Sequence, residues 1–211
     1  MRNLLYKELN LSIHPFFYIL PILVGLLIFI PMWIYLIVFM YFFWFSMVNI
    51  PAGYIAKEDN SFNAMLPVAK KEIVQSKIYA IIILQGIHII FAIIFGIIHN
   101  YIYGTYNFFF DINIAFFGIA ILMFAVFNIS FFPWYFKTAY SYGKPVILGV
   151  VITLVYGFVF EFDVVRFEFM RTIFEGTFLN QMIVLVVAIV VSVVLTIFTM
   201  KLSVQNFERI K

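Results

Sequence analysis

The chain alternates long apolar runs with short polar punctuation. A transmembrane helix needs about 20 mostly apolar residues. Six segments approach that length, at about 14–30, 32–53, 78–98, 112–132, 145–162 and 179–200. Only Pro31 separates the first two, so they are expected to form a tight hairpin near the far membrane surface, with the first span short or tilted. Pro15 suits a first helical turn, where its missing N–H is not needed, and Pro21 is expected to kink the span. The run from Ile13 to Ile30 follows a basic start, as a signal peptide would. It ends in Pro31-Met32-Trp33 rather than a small-x-small cleavage site, so it is expected to be retained.

Two shorter stretches have an amphipathic helical period. Residues 1–13 bring Leu4, Leu5 and Leu9 together beside Arg2 and Lys7, which predicts a helix lying on the inner leaflet. Residues 162–175 set Phe162, Phe169, Met170, Ile173 and Phe174 on one face and Glu168, Arg171 and Glu175 on the other. This predicts an outer-surface helix with Arg171 weakly paired to both acids. No internal repeat or low-complexity linker interrupts the chain, so one domain over 1–211 is expected.

Composition agrees with the pattern. With 65% hydrophobic and 11% charged residues and a mean hydropathy of +1.10, the chain lies outside soluble usage and is expected to be an all-α, multi-pass membrane protein in the lipid bilayer. Its net charge of +3 is therefore a matter of sidedness, not of nucleic acid. With the N-terminus inside, the inner segments carry Arg2, Lys7, Lys57, Lys70, Lys71, Lys77, Lys137, Lys144, Lys201, Arg209 and Lys211, and only Arg166 and Arg171 fall outside. This asymmetry places both termini in the cytoplasm. Trp33, Trp134, Tyr101, Tyr103, Tyr106 and Tyr135 fall near span ends, as an interfacial aromatic belt does.

Catalytic signatures are missing. There is no cysteine, hence no disulfide, thiolate metal site or cysteine nucleophile. Gly143-Lys144 is followed by Pro145, and Thr138 stands where the first glycine of a phosphate loop would be, so no nucleotide cofactor is expected on this chain. No H-E-x-x-H or G-x-S-x-G occurs, and His14, His88 and His99 fall in different regions. Within the spans, Gln85 and His88 share one helical face and Asn128 lies in the next span. They either line a substrate path or bond between helices. Gly86 and Gly96 mark close packing on the third span, as do Gly149 and Gly157 on the fifth, where two copies could approach each other. Glu161 and Asp163 close the fifth span, where they meet a cationic passenger or sit in water among headgroups.

The one sizeable polar loop is "KEDNSFNAMLPVAKKEIVQSK", residues 57–77. Pro67 disfavours helix at Leu66, so Ser61–Leu66 is expected to form a short separate helix. Phe62, Met65 and Leu66 give it an apolar edge that a solvated connector would not need, and Lys57, Glu58 and Asp59 form a charged approach.

With "LLYKELNL" at 4–11, the acidic pair Glu58-Asp59 and "LPVAKKEIVQSKIY" at 66–79, the sequence resembles the permeases of type-2 ABC exporters, in their small six-span bacterial branch. Members show an L-x-K-[DE]-L stretch on a surface helix and an acidic loop running into L-P-[VI]-[ST]-[RK]. Ala69 departs from that pattern, which has Ser or Thr there to cap the third span with Glu72. Asn63 or water is expected to serve instead.

The resemblance implies that the 57–77 loop holds a coupling helix, with Glu58, Asp59, Phe62, Met65, Leu66 and Pro67 seated in a groove of a separate ABC ATPase subunit, and Glu58 and Asp59 at the rim. ATP and Mg would bind that partner. Six spans would be half a transporter, so a homodimer, or a heterodimer with a sister permease, is implied in the bacterial cell membrane. Hydrophobic or amphipathic peptides, or small drugs, would be the cargo. Two other classes remain as alternatives: the substrate-capturing membrane subunit of an energy-coupling vitamin importer, whose A-x-x-x-A face "YILPILVGLLIFIP" lacks, and a non-transporting immunity or assembly protein.

Overall fold

Proline and glycine set the places where the backbone changes course. The computed structural model describes residues 1–209, so Lys211 of the basic set lies outside the described residues. Helix α1 (Arg2–Lys7) widens into a π-helical turn over Glu8–Ser12, and this unit meets the next at 71°. Pro15 occupies the cap position of α2 (Phe16–Gly25). That helix includes Pro21 and tightens at Leu26–Phe29 into a 3-10 turn. Gly25 marks the change because a Cβ there would lie 2.5 Å from the Phe95 ring, which packs against this bare turn.

The first segment is short, as expected. Its 14 helical residues span only about 23 Å. They still run from one end of the bundle to the other. At one end the Lys57 ammonium donates to the carbonyl of Leu11 (2.9 Å), and at the other the Tyr35 hydroxyl donates to that of Ile30 (3.0 Å).

The remaining helices are α3 (Leu36–Ala56), α4 (Asp59–Met65), α5 (Lys70–Tyr103), α6 (Ile114–Lys137), α7 (Gly143–Arg166), α8 (Glu168–Glu175) and α9 (Phe178–Glu208), and no strand occurs among the described residues. Five of them, α3, α5, α6, α7 and α9, are long and apolar enough to cross a membrane. The bent pair of α1 and α2 supplies a sixth if it counts as one. Helix α5 has 34 residues, about 51 Å, so it outruns the roughly 30 Å hydrocarbon core at its polar ends, which hydropathy alone does not count. Asn113 caps α6 by accepting from the Phe116 N–H (2.9 Å), and Thr177 caps α9 by accepting from that of Asn180 (3.3 Å). Ala69 offers α5 no side-chain cap. Asn63 does not replace it, because its amide is turned to other partners described below.

Helix α6 is the hub, in contact with α5, α7, α8 and α9. It comes close to α9 at Gly118, where a Cβ would lie 2.9 Å from the Cα of Leu185. Much of the phenylalanine content forms an internal layer between α3 and α6. Phe43 stacks on Phe127 with centroids 4.1 Å apart, and Phe39 and Phe42 meet Phe124 edge-on. The outward faces of α7 and α9 are exposed and apolar, for example Ile147, Phe158, Val190 and Ile197, as lipid contact requires.

Two expectations change. Gly149 and Gly157 do not lie on an outward face open to a second copy. Both are buried, because the Phe127 ring covers Gly149 and the Met40 methyl fills the space over Gly157, where a Cβ would lie 2.3 Å from it. Glu161 is not at the surface either. Helix α7 continues to Arg166, and loop 104–113 folds over it, so Glu161 is 6% exposed and accepts the Phe110 N–H at 3.0 Å.

Candidate functional site

Helix α4 is set apart by two backbone features. Glu58 takes a left-handed conformation (φ 48°), which reverses the chain after α3, and Leu66 is extended because Pro67 follows it. The helix begins two residues earlier than expected and ends one earlier. Its outward side carries Phe62, 51% exposed, and Met65, 82% exposed, with Glu58 and Pro67 also open to solvent. Leu66 is partly buried. With Phe62, Leu4, Tyr6 and Leu11 it lines a groove of about 590 Å³ between α4 and α1.

The inward side of α4 is polar. Asp59 and Asn63 lie one turn apart, so both point into the protein, and both are buried. Asp59 is therefore not a rim charge. Its carboxylate accepts from Lys77 Nζ on α5 (2.5 Å), from Lys7 Nζ on α1 and from Asn63 Nδ2 (2.8 Å). Lys7 also donates to Asn63 Oδ1 (2.9 Å) and to Glu8 Oε1 (3.1 Å), and Lys77 Nζ lies 3.6 Å from that same Glu8 oxygen.

Lys77 is 1% exposed, and its ammonium sits 3.4 Å over the ring of Tyr54 on α3. Two cations and two anions thus form a neutral cluster, which is how four charges can be held away from water. Burial works to raise the Asp59 pKa, but Lys77 and Lys7 outweigh it and hold the carboxyl below its ordinary value.

The sequence marked Asp59 but missed Glu8, Lys7, Asn63, Tyr54 and Lys77 as its company. The available signal was Lys77 itself, a charge placed where the uninterrupted apolar run of α5 begins.

In the spans, Gln85 and Asn128 exchange two reciprocal amide bonds of 2.9 Å between α5 and α6, both side chains buried. A cleft of about 170 Å³ adjoins them, with Gly86, Ser192 and Thr196 in its wall. His88 takes no part. It is packed among Phe39, Phe42 and Phe124, with neither ring nitrogen hydrogen-bonded. Among the described residues, no three His, Asp or Glu side chains gather as metal ligands would.

At the opposite end, α8 clamps loop 104–113. Arg171 Nε donates to Glu175 (2.6 Å) and Arg171 Nη2 to the carbonyl of Asn107 (2.8 Å), while Glu175 accepts the Asp111 N–H (2.9 Å). Of the two acids expected to pair with Arg171, Glu175 does so. Asp111 accepts the Asn107 N–H at 2.6 Å. Its pKa is raised to about 6 by burial first, with the Asn107 N–H opposing, Glu175 adding to the rise and Arg171 opposing.

A helical bundle with lipid-facing apolar surfaces, and with charges confined to its ends, defines a multi-pass membrane protein. The chain belongs to the ABC-2 family transporter proteins, whose sequence pattern matches residues 3–208. It is therefore a membrane permease of an ABC transporter, which sets aside the vitamin-capture and immunity alternatives. No curated protein and no solved structure matches the chain.

Proposed function

We propose that this permease is the conduit half of an ATP-driven exporter and that α4 is the helix gripped by a separate ABC ATPase. The observation that carries this reading is the two-sidedness of α4. Asp59 and Asn63 tie one side into the protein, and the other presents Phe62 and Met65 to solvent. These large apolar side chains, exposed beside a groove that Tyr6 and Leu11 also line, suit a protein partner better than water. Glu58 alone remains as a rim charge. ATP and Mg bind the partner, and two permeases, identical or sister chains, pair with two ATPases.

The α4 end faces the bacterial cytoplasm, since the basic residues of the described chain concentrate there. The cargo is a hydrophobic or amphipathic peptide or a small drug. This rests on the exporter resemblance, since many of the phenylalanines are spent on the internal layer between α3 and α6. The Gln85–Asn128 pair serves as interhelical bonding, for its amides are turned to each other.

The test is co-purification of the ABC ATPase with the tagged permease from detergent. The wild-type chain should bring it down, and Phe62→Ala should lose it. Equal recovery with Phe62→Ala would refute the docking role of α4.

A further inference from the structure

Helix α4 has only seven residues, and among its described side chains only Asp59 and Asn63 are buried. Besides its backbone links to α3 and α5, the described side chains that tie α4 into the protein are therefore polar. Their bonds run to Lys77 near the start of α5 and to Lys7 on α1. Apolar contacts are non-directional and let helices slide past each other, whereas a buried, hydrogen-bonded charge pair tolerates one register. From Lys77 the helix runs without interruption to Tyr103, about 39 Å, and near its far end Asn100 Nδ2 donates to the carbonyl of Ile112 (2.7 Å), in the loop that α8 clamps.

We propose that Asp59 and Lys77 are positioning residues that make α4 and α5 move as one body, so that displacement of α4 at the ATPase is delivered to loop 104–113 at the opposite face. This rests on the docking role of α4 proposed above. Lys7 and Glu8 bring α1 into the same joint and neutralise it. Replacing the pair by Leu and Met removes the direct polar tie between α4 and α5 while leaving Lys7 paired with Glu8, bonded to Asn63, and no buried charge alone.

The experiment is amide hydrogen exchange of segment 104–113 in the permease–ATPase complex, with and without ATP, which requires no knowledge of the cargo. With the native cluster, ATP should change the exchange rate of that segment roughly tenfold. In Asp59→Leu combined with Lys77→Met, the ATPase should remain bound and the response should vanish. A response that persists in the double variant, or none in the native complex, overturns the proposal.

Should the double variant fail to insert, spin labels at Ser61→Cys and Tyr101→Cys in the otherwise cysteine-free native cluster decide the matter. Their separation should stay constant when ATP binds, and a changed separation means that α4 and α5 move independently. Failure of the docking reading would show elsewhere, as full ATPase recovery with Phe62→Ala.

Discussion

The Lys77 ammonium on α5 lies 2.5 Å from the Asp59 carboxylate on α4, with both side chains sealed from solvent. Removing one member of such a pair leaves an uncompensated charge in a poorly solvated site. Lys77→Met alone should cost about 3–5 kcal/mol, whereas Lys77→Met with Asp59→Leu should be close to neutral. Thermal unfolding in detergent measures both, and equal losses would show that the pair contributes by packing rather than by charge.

The glycines make a second, ordered prediction. A methyl group at Gly118 would meet the backbone of α9, which cannot move aside, whereas at Gly157 it would meet the flexible end of Met40. Gly118→Ala should therefore destabilise by about 1–3 kcal/mol and Gly157→Ala by less. Because Gly157 faces its own chain, Gly157→Ala should leave pairing between permease copies unchanged, which cross-linking in membranes can check.

Asp111 gives the α8 end a pH dependence. Its carboxyl titrates at about 6 in the folded cap against an ordinary 3.8, so the folded state holds the proton more tightly than the unfolded state does. The contribution is fully present below pH 3.8 and is lost as pH rises through about 6. Protection of the 104–113 amides, corrected for intrinsic exchange, should fall across that window. Asp111→Asn keeps an acceptor for the Asn107 N–H and should remove the part of that fall that Asp111 contributes, while the Glu161 carboxylate under Phe110 stays in place.

Sidedness can be read with single cysteines, since the native chain has none. Tyr106 and Glu168 are exposed at the α8 end and Ser61 at the α4 end. A membrane-impermeant thiol reagent on intact cells should label Tyr106→Cys and Glu168→Cys but not Ser61→Cys. The reverse pattern would invert the proposed orientation.

Much of this architecture was legible because membranes impose a strict length and polarity code. The approximate places of the long apolar helices, the short first segment and the break at Pro67 follow from local rules, whereas the helix expected over 162–175 is divided at Phe167, with its first residues continuing α7 to Arg166 and only Glu168–Glu175 forming α8. The mistaken points depended on tertiary neighbours. Glu161 looked terminal because hydropathy falls after Phe160, yet it is the 104–113 loop folding back that buries it. Gly149 and Gly157 looked like a meeting face, and nothing in their spacing tells that Phe127 and Met40 fill them. Asp59 looked like one of three similar loop charges. Only the approach of α1 and α5, from 52 and 18 residues away, turns it inward.

The most direct measurement of the central claim is ATP hydrolysis by the reconstituted permease–ATPase complex, titrated with permease. Phe62 on α4 and the partly buried Leu66 that follows it are the apolar anchors proposed for the ATPase contact, and truncating a central anchor typically costs about 2 kcal/mol or more, a roughly thirtyfold loss of affinity. Phe62→Ala and Leu66→Ala should each shift the permease titration by that factor, while Glu58→Lys should slow association and make it salt-sensitive. Titrations that overlay the wild-type curve for both alanine variants, with insertion verified, would contradict the assignment of α4 as the ATPase contact.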